Sequence, residues 1–167
     1  MHLHPLALRR ARAYGRDSLG YLAIAVATVP IGVVAVMNGW SDDPVFLGIL
    51  SSVPPVLATL VAARAESGPR AATWGKRREG LQVTTGSGTP GIGRALARNT
   101  AKIAIPWSLG HLVAFSAASG RLDGGDAVAM GGTIVVDVLL VLMVAMTVAG
   151  AGRPPHDRVA GTRVITA

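Results

Sequence analysis

The chain predicts an all-α membrane fold: four transmembrane helices as two hairpins, joined by a cytoplasmic loop that holds a short β-turn element and a basic interfacial helix. Three observations carry this. First, half of the 167 residues are hydrophobic and only 15% are charged, where a soluble domain has about 25%; mean hydropathy is +0.47. Second, the apolar residues gather into runs at about 19–37, 45–63, 102–118 and 127–149. Third, lysine and arginine alternate between the connecting segments, as they do when basic loops stay on the cytoplasmic side.

The N-terminal segment to Ser18 is basic, with Arg9, Arg10, Arg12 and Arg16. Leu19 to Met37 follows without a charge and is long enough for a ~30 Å hydrocarbon core at ~1.5 Å per residue. The alternative is a cleaved signal peptide, whose apolar region runs to about 7–15 residues. This run is longer and Asn38-Gly39-Trp40 is a poor cleavage site, so a retained span is expected. The 38–44 loop has no basic residue and carries Asp42 and Asp43. Pro54-Pro55 falls inside the second run, where lost backbone donors predict a kink or break.

The loop 64–101 and Lys102 hold eight basic residues. Leu81-Gln82-Val83 alternates and is β-prone, and Gly86-Ser87-Gly88 signals a turn. Gly93 to Lys102 reads as a helix with Arg94, Arg98 and Lys102 on one face, suited to the headgroup layer. The loop 119–126 has Arg121 against Asp123 and Asp126, and the tail 150–167 has Arg153, Arg158 and Arg163. Both termini are therefore expected in the cytoplasm of a single membrane domain, 1–167. The tail reads as a solvated terminus, although a strand pairing with Leu81-Gln82-Val83 also fits. The two hairpins share hydropathy but not residues, so no internal repeat is visible.

A net charge of +7 raises nucleic acid as a partner. The charges lie between apolar runs and few aromatics are present for base stacking, which excludes it; anionic lipid headgroups account for the same charge. No cysteine is present, which removes disulfides and thiolate chemistry. Gly86 to Gly91 matches G-x-G-x-x-G, but a dinucleotide site needs a buried strand before it, a helix packed on a sheet after it and an acid about 20 positions on; membrane spans occupy the place of that sheet, so a flexible turn is expected. No hydrolase or transferase constellation, metal cluster or cofactor motif is found, and no enzyme activity is expected. His111 and Asp137 lie near the middle of the third and fourth runs. They form a candidate intramembrane pair, because ionisable groups at that depth usually serve a path or a relay; a plain structural hydrogen bond is the alternative. Arg10 and Asp17, seven apart, share a helix face with Ala13, and Asp17 lies in the first turn of the first span.

These residues resemble the RDD family of bacterial multi-pass membrane proteins, in four blocks from Arg10 to Val164. Arg10, Ala13 and Asp17 match the N-terminal pattern. Thr73, Gly75, Lys76, Arg77, Gly80, Leu81 and Val83 match the central T-P-G-K…G-L-x-V signature, with Trp74 in place of proline. Ile92 to Asn99 matches L-G-R-A-L-x-R-N through Arg94 and Arg98. His156, Asp157, Ala160, Gly161, Thr162 and Val164 match H-D-x-x-A-G-T-x-V. The resemblance implies a second family aspartate at Asp157, or alternatively at Asp137. It also implies an inner-membrane protein linked to transport of a small ion or solute, with cation–proton exchange described for some members. An accessory or assembly subunit of a larger membrane complex is the other reading. Either role implies a homo-oligomer or a partner complex.

Overall fold

The computed structural model describes residues 4–40, 43–149 and 152–167. Within the segments read from sequence, Met1 and its two neighbours, the loop acid Asp42 and Gly150 at the head of the tail lie outside the described residues. The chain is mostly helical. Its helices are α1 (Ala7–Met37), α2 (Pro44–Glu66), α3 (Trp74–Arg78), α4 (Ile92–Asn99), α5 (Ile105–Ala118), α6 (Ala127–Val148) and α7 (Pro155–Val159), with strands β1 (Leu81–Thr84) and β2 (Arg163–Thr166). Three helices, α1, α2 and α6, are long and apolar enough to cross a membrane.

The basic N-terminal segment is not separate from the first apolar run. The Ala- and Arg-rich stretch from Ala7 favours helix and continues unbroken through Pro30 to Met37. Asp17 therefore lies well past the first turn of α1, not in it. Two other helices start on aspartate caps. Asp43 accepts from the backbone N–H of Val45 at 2.8 Å and Phe46 at 3.3 Å. Asp126 accepts from Val128 at 2.9 Å and Ala129 at 3.1 Å, each satisfying orphan donors of the first turn. The break expected at Pro54-Pro55 is absent: α2 runs through both prolines, which are buried. Thr100–Ala104 forms a π-turn between α4 and α5, where the N–H of Ile105 donates to Thr100 O. Pro106 follows directly and has no N–H to close the ordinary ladder.

β1 pairs antiparallel with β2, Leu81 opposite Thr166 and Thr84 opposite Arg163. The tail thus returns to the central segment as a strand. The pairing exposes an architectural repeat that the residues hide. A long helix and a return helix lead to a five-residue helix, a glycine turn and a strand. This happens once through α1, α2, α3 and β1, and again through α4–α5, α6, α7 and β2. The short helices open in the same backbone conformation, Thr73 at φ −65°, ψ 168° and Pro154 at φ −64°, ψ 169°. Gly80 and Gly161 then turn each unit into its strand at φ +60° and +63°, where glycine alone is unstrained. In each unit the short helix packs on the unit's own first helix, α3 on α1 and α7 on α4.

Two small apolar clusters stitch the units. Ala13, Leu81, Val83 and Val164 pack with Leu6. Ala58, Ala62 and Ile103 pack with Tyr21, Ile24 and Trp107. Most large apolar side chains on α1, α2 and α6 point outward.

A buried charge network as the candidate functional site

Glu66, the last residue of α2, is fully buried. It follows Ala58 and Ala62 at four-residue spacing, so all three share the helix face turned toward α4 and the π-turn. Arg98 Nη1 donates to both Glu66 oxygens at 2.6 and 2.7 Å. Lys76 Nζ donates at 2.7 Å and Asn99 Nδ2 at 2.8 Å. The small alanines let α4 come close enough for these contacts. Four charge-assisted bonds on one carboxylate offset much of the cost of removing it from water.

Arg98 also donates through Nε to Asp157 Oδ1 at 2.8 Å, and Thr162 Oγ1 donates to the same oxygen at 2.9 Å. Asp157 is fully buried, and Arg10 Nη2 stands 3.8 Å from its other oxygen. Arg10 itself donates to Gly152 O, and to Val164 O at 3.4 Å. Asp17 accepts from Thr73 Oγ1 at 2.6 Å and from the Gly75 N–H at 2.7 Å, so it caps α3 from the side of α1. Lys76 Nζ closes the circuit on Thr73 Oγ1 at 3.3 Å. Gly75 is required for the approach: a Cβ there would fall 2.1 Å from Ala13 O. On the outer side, Arg9 Nε donates to Glu79 O at 2.8 Å, while Arg16 pairs with the Glu79 carboxylate.

Burial pushes the Asp157 carboxyl up, but Arg98, His156 and the bonds from Arg98 and Thr162 outweigh it and hold it below the usual range. Burial likewise works against the Arg98 charge, and Glu66 and Asp157 together raise its pKa above the ordinary arginine value. The imidazole of His156 is driven down to about 2, first by burial and then by the charge of Arg98. It is therefore neutral in the folded protein at any physiological pH.

The network joins many of the residues singled out in the sequence: Arg10, Asp17, Thr73, Gly75, Lys76, Arg98, Asp157 and Thr162. Gly80 and Gly161 make its turns and His156 borders it. Arg94 is exposed and stands outside it. The four-residue spacing of Arg94, Arg98 and Lys102 does not produce one basic surface, because Arg98 is 2% exposed and points inward. Lys102 Nζ sits 5.1 Å from the centre of the Tyr14 ring. His111 and Asp137 are not brought together. His111 Nδ1 lies 3.1 Å from Trp107 O within its own helix, Asp137 is exposed on α6, and among the described residues no hydrogen bond or ion pair joins the two. Sequence reasoning did not single out Glu66 as a site residue, and took Asn99 only as the end of a matched pattern. The signal for Glu66 was its register with Ala58 and Ala62 at the end of an apolar helix.

Three long apolar helices with outward-facing aliphatic side chains, closed at one end by a buried ionic cluster, describe a membrane-embedded protein. No protein-family model, curated protein or solved structure matches the chain.

Proposed function

We propose that the chain is a four-span bacterial inner-membrane protein of the RDD type that moves a small ion or solute, by cation–proton exchange, as an oligomer. Asp137 carries this reading. It lies halfway along the most apolar helix and is exposed on the single chain. A carboxyl facing lipid at that depth costs ~2.5–3.5 kcal/mol on insertion scales, which a polar surface on a neighbouring copy would relieve. A conduction path between copies also suits a 17.1 kDa chain. The fourth span is α5 together with the π-turn before it. Alone, α5 has 14 residues and reaches about 21 Å at 1.5 Å per residue; the preceding turn supplies the rest of a ~30 Å core. The lysine and arginine asymmetry supports both termini, and the ionic cluster with them, on the cytoplasmic side.

The test is proton flux in proteoliposomes of purified protein, followed with a pH dye while the cation is varied. Cation-dependent proton movement in the wild type, lost in an Asp137→Asn variant that still inserts and keeps its oligomeric state, is the expected result. One observation favours the second reading, a non-transporting accessory or assembly subunit: the charge network is tied into fixed helix ends, as a structural joint would be. Silent wild-type vesicles and co-purification of a larger complex would favour that role and overturn transport.

A further inference from the structure

Besides the β1–β2 pair, the helices of the two architectural units meet in two places: where α2 packs on α4 and the segment that follows it, and where α6 approaches α1. Glu66 stands seven residues before Thr73, the residue that opens the short helix of its unit. The corresponding position before Pro154 is Thr147. The first meeting place is filled, with the Glu66 carboxylate seated among Arg98, Lys76 and Asn99. The second has Thr147 in place of an acid at that position and instead holds a cavity of about 310 Å³. Leu140, Met143 and Val144 of α6 form an apolar wall, and Arg10, Lys102 and His156 stand at its polar end.

That end has cationic capacity left over. Arg10, Lys76, Arg98 and Lys102 face the carboxylates of Asp17, Glu66 and Asp157, one fewer in number. Among the described residues no carboxylate lies within ion-pair distance of Lys102. Arg10 Nε and His156 Nδ1 are buried without a hydrogen-bond partner, and so is Asp157 Oδ2. All three residues line the cavity and are at least nine-tenths buried.

We infer that this cavity binds an anionic membrane phospholipid. Its phosphate occupies the place that Glu66 fills at the other meeting point, held by Lys102 and by donors from Arg10 and His156. One acyl chain lies along Leu140, Met143 and Val144. An anion restores the charge balance, and the apolar wall accounts for a tail; Asp157, matched by Arg98 and Arg10, is no bar to the phosphate. The assignment rests on the membrane reading but not on transport.

The test uses purified full-length protein in mixed micelles of phosphatidylglycerol and phosphatidylcholine, with retained lipid counted by native mass spectrometry. Phosphatidylglycerol is expected to be retained at least tenfold over phosphatidylcholine. Lys102→Gln should bring the ratio near one, and Lys102→Arg should keep it. On the wild type, phosphatidylglycerol bearing a diazirine on its acyl chain should label 140–148 and 7–14, and excess unlabelled phosphatidylglycerol should compete. Equal retention of the two lipids, labelling spread evenly over the outward faces of α1, α2 and α6, or displacement by inorganic phosphate alone would each overturn the assignment. A protein that stays soluble without detergent and does not enter vesicles would sink the membrane reading itself. Absence of flux touches neither result.

Discussion

At the residue scale, the energetics concentrate on Glu66. Its carboxylate answers two cations, Lys76 and Arg98, inside a buried contact. Removing one partner of such a set leaves the others buried and uncompensated, a cost of about 3–5 kcal/mol. Glu66→Gln is therefore expected to lower the thermal midpoint in detergent steeply, whereas neutralising exposed Arg94 should leave it almost unchanged; light-scattering melts of the two variants check this. His156 makes a separate, pH-dependent contribution. Its folded pKa of about 2 lies below the unfolded value near 6.5, so the unfolded chain takes up the proton first. Stability is then full above about pH 6.5 and is lost as pH falls toward 2, by up to ~1.4 kcal/mol per pH unit once well below 6.5. Melts between pH 7 and 5 should show this slope, and His156→Phe should flatten it. Asp157, with its depressed carboxyl, acts in a lower window. Its contribution is complete above the ordinary value near 3.9 and is lost only as pH drops through the folded value.

At the scale of elements, the five-residue helices are too short to be stable by themselves. What holds α3 is its capping by Asp17 across the contact with α1, and the close approach at Gly75. A methyl group there must displace the Ala13 carbonyl, which is backbone and has little room to give. Gly75→Ala should therefore part α3 from α1, remove the Asp17 cap and cost several kcal/mol in all, on the scale of lost caps and overpacking. Gly91→Ala is the control. It has an ordinary φ of −64° and no atom within 4 Å of the added carbon. Size-exclusion profiles and melts of the pair should separate them clearly. Helices α1, α2 and α6 differ in kind: their continuous apolar runs, with aspartate caps at the starts of α2 and α6, suffice to form them, and tertiary contacts only orient them.

At the scale of the whole molecule, the two units are bound crosswise. Glu66 of the first reaches Arg98 of the second, Arg10 of the first reaches Asp157 of the second, and β1 pairs with β2. The proposed topology places all of this on one side of the membrane. The chain has no cysteine, so single cysteines report cleanly on sidedness. Ser87→Cys and Thr166→Cys should react with an impermeant maleimide only in inside-out vesicles, and Asn38→Cys and Ser119→Cys only in right-side-out cells. A mixed pattern within either pair would reject the four-span arrangement.

The three long apolar helices, the β-prone segment at Leu81 and the helix carrying Arg98 were all legible from the sequence, because hydropathy and local propensity act over a few turns and need no partner. Asp17 and Arg10 could be placed on one helix face for the same reason. The partners could not be read. The direction in which Arg98 points depends on a carboxylate 32 residues away, and its i, i+4 neighbours Arg94 and Lys102 suggested a solvated stripe instead. The separation of His111 from Asp137 depends on how two helices rotate about their axes, which run composition does not specify. The repeated unit was hidden for a related reason: backbone turns and strand register can recur while side chains diverge. The sequence by itself determined that the chain has long membrane-compatible helices, an uneven distribution of charge and a polar centre. Only the tertiary structure decided that this centre is a buried ionic joint between two similar units, because burying a charge is favourable only where distant opposite charges and donors converge on it.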